Sequence, residues 1–196
     1  EGKTTLTLAI AQNMAAMGKK VLVIEGDIRR RMLDAYLETS ADKTEPDRDV
    51  MAVLEGRTAL TDAVLPQKAM GLDMLVSATT KTNAADVLSS ARFEQMLTEA
   101  RKYYDHIIID TPPVLVVPDA RIVAKYADCV LCTVRWNGTS KNDLSGALEM
   151  FETVNRPVDG LILNQVNLNK GTYGYGYGYG YGYGYGYTRK NKYYVN

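Results

Sequence analysis

Residues 106–113 read HIIIDTPP. The isoleucine run has no polar alternation, which suits a strand buried on both faces of a parallel sheet. It stops at Asp110, and Thr111, Pro112 and Pro113 fix a loop beyond it. In α/β folds, ligands bind beyond the carboxyl ends of such strands. An acid at that tip can hold Mg2+ directly or through water. The plainer alternative is an aspartate that caps the next segment.

Four more apolar runs of the same kind follow the chain: VLVIE (21–25), LDMLVSA (72–78), CVLCTVRW (129–136) and GLILNQV (160–166). Segments of helical character lie between them. Residues 4–17 are rich in Ala, Leu and Met and stop at Gly18, a helix-ending position. Residues 91–103 put Phe93, Met96, Leu97 and Ala100 on one face. Residues 118–127 open with proline. Residues 142–154 carry Leu144, Leu148 and Phe151 at helical spacing. Strand and helix alternate, so the reading predicts an α/β fold, a doubly wound and mostly parallel sheet. Polar stretches at 41–48 and 79–83 read as loops. A boundary is expected near residue 170, between a domain over 1–169 and a low-complexity tail over 170–196.

Bulk composition excludes more than it selects. The 23 basic and 23 acidic side chains cancel, so charge gives no reason to expect nucleic acid as a partner. No apolar run approaches the ~20 residues of a membrane-spanning helix. Residue 1 is Glu rather than Met, and the chain is expected to be part of a longer one. Cys129 and Cys132 have C-x-x-C spacing. Residues three apart on a strand point to opposite faces, so both are read as reduced core cysteines rather than a redox or zinc pair.

Three motifs carry chemistry. Gly2, Lys3, Thr4 and Thr5 lead directly into the first helix, as at the end of a phosphate-binding loop. There, backbone N–H groups and the helix N-terminus hold phosphate; Lys3 would reach the β and γ phosphates and Thr4 would bind Mg2+. The front of such a loop and the strand before it do not precede Gly2 in the sequence. Asp110 is the second element. The third is VLVIEGDIRRR (21–31), where Glu25 and Asp27 sit just past a strand. Its alternative is a solvated turn closed by salt bridges. At the last strand, the Asn164 amide could read an adenine edge or merely close a turn.

Together these residues resemble the bacterial tyrosine kinase family, and more narrowly the cytoplasmic kinase domains of exopolysaccharide chain-length and export proteins. In that family EGKTT closes Walker A, a strand ending in D-x-D-x-R forms Walker A′, and IIIDTPP forms Walker B. Here these are residues 1–5, 25–29 and 107–113. The resemblance implies ATP and Mg2+ as cofactors. It implies Lys3, Glu25, Asp27 and Asp110 as catalytic residues, Gly2, Lys3, Thr4, Thr5 and Asn164 around the nucleotide, and Thr4, Asp27 and Asp110 at the metal. It also implies a ring of identical subunits at the inner face of the cell membrane. A membrane polysaccharide co-polymerase segment, in the same chain or a separate one, would be its partner. One position departs from the family: Glu25 stands where Asp is usual. The extra methylene could shift the base role to Asp27, because a base must lie within hydrogen-bond reach of its proton.

The tail is the remaining signal. Tyr173, Tyr175, Tyr177, Tyr179, Tyr181, Tyr183, Tyr185 and Tyr187 alternate with glycine, and Tyr193 and Tyr194 follow. Alternating glycine frees the backbone, so many tyrosines can take turns at one site, and the repeat is expected to be disordered when alone. The family resemblance makes these the autophosphorylation sites, modified in trans. Two other readings stay open: a positioning or partition-type ATPase of the same Walker type, and a tail-presenting subunit whose site has decayed.

Overall fold

The computed structural model describes residues 1–30, 32–37, 47–77 and 83–167. The chain divides into two units, residues 1–166 and 167–196. The tyrosine ladder lies outside the described residues, as do 41–46 and 79–82 of the loops expected over 41–48 and 79–83.

In chain order the first unit runs α1 (Lys3–Ala16), β1 (Val21–Glu25), a 3-10 turn (Leu33–Tyr36), α2 (Val50–Leu54), α3 (Leu60–Ala63), β2 (Leu65–Gln67) and β3 (Leu72–Leu75). It continues α4 (Ala84–Leu88), α5 (Ala91–Ala100), β4 (His106–Asp110), α6 (Asp119–Ala124), β5 (Leu131–Arg135), α7 (Lys141–Glu152) and β6 (Gly160–Asn164). Four strands form one sheet in the order β2-β3-β1-β4, and β5 and β6 pair in a second. β1 is parallel to both β3 and β4, and β5 to β6. Among the described strands β2 alone is antiparallel. It is a three-residue edge strand containing Pro66, a place where the absent N–H does no harm.

Helices cover both faces of the main sheet, as the doubly wound reading expects. On one side Leu8 and Ala11 of α1 pack with Val21, Val23, Leu33 and Met74. On the other, α2 to α6 bury Leu22, Ile24, Leu75, Phe93 and Val123. β1 is buried at all five residues, which is why Val21 to Ile24 are all apolar. The α5 face is the expected one: Phe93, Met96, Leu97 and Ala100 are all buried, and the Ser90 side chain accepts from the Phe93 N–H to start the helix. In α7 only Ala147 and Phe151 are buried. Leu144 and Leu148, expected on its core face, are half-buried.

β4, at the edge of the main sheet, and the whole second sheet depart from the expected burial: His106 to Ile109 of β4 are half-buried rather than buried on both faces. β5 and β6 are half-exposed rather than buried on both faces. Leu161 and Leu163 are 50% and 55% exposed. The β4 and β5 strands are not hydrogen-bonded to each other. Between them runs a cavity of about 420 Å³, lined by Leu6, Ile10, Ile108, Val123, Leu131 and Ile162 among others. The cysteine expectation is corrected in the same region. β5 begins only at Leu131, so Cys129 precedes it and is exposed, while Cys132 is half-buried. Both are free thiols.

Candidate active site

The site forms where α1 begins and where β1 and β4 end. Gly2 caps α1 in the left-handed region, at φ 82°, which only glycine adopts at no steric cost. A Cβ there would also lie 2.7 Å from Asn164 Nδ2. The following helix presents its first N–H groups at this end, the arrangement that favours phosphate. Lys3 Nζ pairs with Glu1 at 2.6 Å. That hydrogen bond to Lys3 holds the Glu1 carboxyl below its usual range.

Thr4 binds the strand tip directly. Its Oγ1 donates to Asp110 Oδ2 at 2.5 Å. Thr7, almost one helical turn on, donates to Oδ1 at 3.5 Å. Asp110 is 4% exposed. Burial pushes its carboxyl up, against the Thr4 hydrogen bond and the Lys3 charge, and Asp27 pushes it further up.

Asp27 arrives at the same place through strand register. Glu25 pairs with Asp110 across β1 and β4. Gly26 then donates its N–H to the Asp110 carbonyl at 2.7 Å. Asp27 opens a tight turn, its backbone carbonyl and its Oδ1 each accepting from the Arg30 N–H at 3.2 Å. Thr4, Asp27 and Asp110 thus offer a few hard oxygens beside a helix N-terminus. That donor set fits Mg2+, which takes one or two carboxylates and completes its shell with phosphate and water.

Glu25 is directed elsewhere. It is 1% exposed. Its Oε1 accepts from Leu33 N–H at 2.8 Å, and its Oε2 accepts from Ser77 N–H and Oγ at 2.9 and 3.0 Å. Burial pushes its carboxyl up, and these hydrogen bonds pull it down. The longer side chain therefore ties the end of β1 to the end of β3. Asn164 has a similar bracing role here. Its Nδ2 donates to the Glu1 carbonyl at 3.0 Å and its Oδ1 accepts from Gln165 N–H at 2.9 Å. Thr5 Oγ1 lies 3.5 Å from the Tyr36 hydroxyl.

Sequence reasoning had not singled out Thr7, Ser77, Gly26 or Asp119. Thr7 was readable as the i+3 neighbour of Thr4 on one helix face. Ser77 and Asp119 join the site region only through long-range packing. Arg29 reaches Asp119 with both ends of its guanidinium, at 3.1 and 3.4 Å.

Residues 1–163 match the model of an AAA domain family. Tyrosine-protein kinase YwqD of Bacillus subtilis is 34% identical over 180 residues, which cover 89% of this chain and 73% of that one. The chain belongs to the bacterial tyrosine kinase family. Tyrosine-protein kinase CpsD of Streptococcus pneumoniae is 29% identical over 89% of this chain and 75% of its own length. Tyrosine-protein kinase ptk of Acinetobacter johnsonii is 34% identical, but there the match spans only 23% of the relative. Among solved structures, the kinase domain of Escherichia coli tyrosine kinase ETK superposes with a TM-score of 0.78 at 27% identity, over 92% of this chain and 68% of that one. The VpsO kinase domain gives 0.75 at 31%, over 85% and 80%. The MinC:MinD cell division complex of Aquifex aeolicus gives 0.70 at 26%, over 86% and 65%. The chain thus shares the P-loop NTPase-like fold of these kinase domains and of the MinC:MinD complex. Among the described residues no helix is long and apolar enough to cross a membrane.

Proposed function

We propose that this protein transfers the γ-phosphoryl group of ATP to tyrosines of its own C-terminal ladder, each subunit acting on a neighbour in a ring. The observation that carries the reading is the Thr4–Asp110 hydrogen bond at 2.5 Å, with Asp27 beside it, in a chain that ends in ten tyrosines. Phosphoryl transfer asks the protein mainly for positioning and charge. Gly2, Lys3, Thr4 and Thr5 hold the phosphates, and Lys3 takes up charge on the γ oxygens. Thr4, Asp27 and Asp110 hold Mg2+, which when bound neutralises charge on the phosphates. Asp27 accepts the proton of the attacking tyrosine hydroxyl as its oxygen bonds to phosphorus, and ADP leaves. Glu25 positions the strand end rather than the proton, and Asn164 braces the start of α1.

The partner follows from the same reading. Ring assembly brings one subunit's tail to the next subunit's site at the cytoplasmic face of the membrane. A membrane polysaccharide co-polymerase segment would bind there and couple phosphorylation to polymer export. Phosphorylation adds about −1.5 to −2 charges per tyrosine, so a fully modified ladder would repel itself and loosen the ring.

The structural likeness to MinD supports a second reading, an ATPase whose turnover drives positioning. Such an ATPase has no use for a tyrosine ladder. Incubation of the full-length protein with Mg-ATP and phosphotyrosine mapping separates the two. Phosphate on Tyr173 to Tyr194, lost in Lys3→Ala and after truncation at Lys170, supports the kinase. ATP hydrolysis without phosphotyrosine supports the positioning ATPase.

A further inference from the structure

Asp119 is the first residue of α6 and is fully buried. A buried carboxylate is costly unless it is paired and hydrogen-bonded. Its partner comes from far along the chain. Arg29 Nε donates to Oδ2 at 3.1 Å and Arg29 Nη2 to Oδ1 at 3.4 Å. This two-pronged geometry fixes orientation as well as distance, because the guanidinium plane must face the carboxylate.

The two ends of the pair belong to the two segments that carry the site acids. Arg29 lies in the turn that Asp27 opens and the Arg30 N–H closes. Asp119 ends the segment that leaves β4 after Asp110. Within that turn Ile28 is buried in the core, at 4% exposure. This apolar plug holds one side of the turn against the core. The Arg29 fork supplies the constraint that Ile28 does not.

We propose that the Arg29–Asp119 pair is a positioning device for the phosphoryl-transfer site, holding the 27–30 turn against the segment leaving β4 so that the Asp27 carboxylate stays beside Asp110. The inference rests on the kinase reading for its consequence in turnover, but its structural content does not. Arg29 and Asp119 act through Asp27 and touch no reacting atom in this account.

The test uses the full-length protein and the double variant Arg29→Met/Asp119→Leu. Removing both partners leaves no uncompensated buried charge, and such replacements are often neutral for stability. Single variants leave one partner alone and confound positioning with misfolding. Three quantities are measured beside the melting temperature. Hydrogen exchange of the amides of residues 26–30 is read in the free protein. The Mg2+ concentration that half-saturates binding of a fluorescent ATP analogue is read next, and then kcat and KM for ATP.

The expected double variant melts like the parent but exchanges its 26–30 amides faster. It needs roughly 10-fold more Mg2+ or beyond, as for loss of groups that orient metal ligands. Its kcat falls by about 100-fold, the size of a misplacement near 1 Å, with KM changed much less. Arg29→Lys keeps the charge without the fork and falls between the two in Mg2+ requirement. A double variant that melts like the parent and matches its exchange and Mg2+ requirement overturns the proposal and leaves the pair a stabilising contact. A double variant that melts far lower, with exchange raised uniformly over the whole domain, overturns it in the same way. If the parent shows no tyrosine phosphorylation, the kinase reading fails, while the amide exchange still decides the role of the pair.

Discussion

The Gly26 N–H donates to the Asp110 carbonyl at 2.7 Å, so the tips of β1 and β4 are joined one residue past their last register pair. That bond sets where the turn carrying Asp27 begins. It also explains the glycine. A Cβ at residue 26 would lie 2.9 Å from the Asp110 carbonyl oxygen and 2.9 Å from Ile109 Cγ2. One of these is backbone of β4, held in register by its pairing with β1 along its whole length, and cannot swing aside.

Gly26→Ala is therefore expected to force the two tips apart. Overpacking of this kind costs about 1–3 kcal/mol. Urea denaturation should show the loss, and nucleotide-dependent activity should fall further than stability alone explains. A variant as stable and active as the parent would show that the tips separate freely.

Glu25 and Asp27 should separate by experiment. Glu25→Ala removes the acceptor for two backbone N–H groups and one hydroxyl in a buried place. Each orphaned buried donor costs about 1–3 kcal/mol, so this variant should be strongly destabilised. Asp27→Asn should fold like the parent and lose tyrosine phosphorylation. A stable Glu25→Ala protein without phosphorylation would return the base role to Glu25.

The two cysteines should differ in reactivity. Burial pushes the Cys132 thiol above its usual range, and the Glu1 charge adds to the shift. The thiolate is the nucleophile, so a raised value leaves less of it at neutral pH. Cys132 labelling should be slow near pH 7 and rise with pH, while exposed Cys129 labels first. Time-resolved alkylation read by mass spectrometry checks the order. Equal rates at neutral pH would contradict the burial of Cys132.

The ladder should act as an electrostatic switch. Ten phosphotyrosines would bring about −15 to −20 charges. Sedimentation of the phosphorylated protein should show weaker assembly at low salt, with the difference shrinking as salt rises and screening shortens. Assembly equally strong with and without phosphate at low salt would remove charge repulsion as the mechanism.

β1 was legible because it is buried on both faces, whereas β4 was placed correctly but is half-buried at His106 to Ile109, at the sheet edge. Both begin and end where the sequence suggested, their apolar runs 21–24 and 107–109 closing on Glu25 and Asp110. β2 was not legible. Three residues with a proline carry no strand signal, and antiparallel pairing to β3 supplies it. Runs 129–136 and 160–166 were read as wholly buried, but apolar sequence cannot report whether a neighbour covers it. Among site residues, Thr4 and Asp110 were readable as members of motifs, and the structure brings them into contact. Glu25 and Asp27 could not be told apart, since spacing alone does not say which one meets Ser77. The Arg29–Asp119 contact spans 90 residues, and no local pattern encodes it.

The most direct test of the central claim mixes two inactive halves. One full-length chain carries Lys3→Ala and keeps its tail; the other keeps its site and ends at Lys170. Each alone should show no phosphotyrosine after incubation with Mg-ATP. The account predicts that the mixture places phosphate on Tyr173 to Tyr194 of the Lys3→Ala chain. A mixture that hydrolyses ATP and leaves those tyrosines unmodified would contradict it.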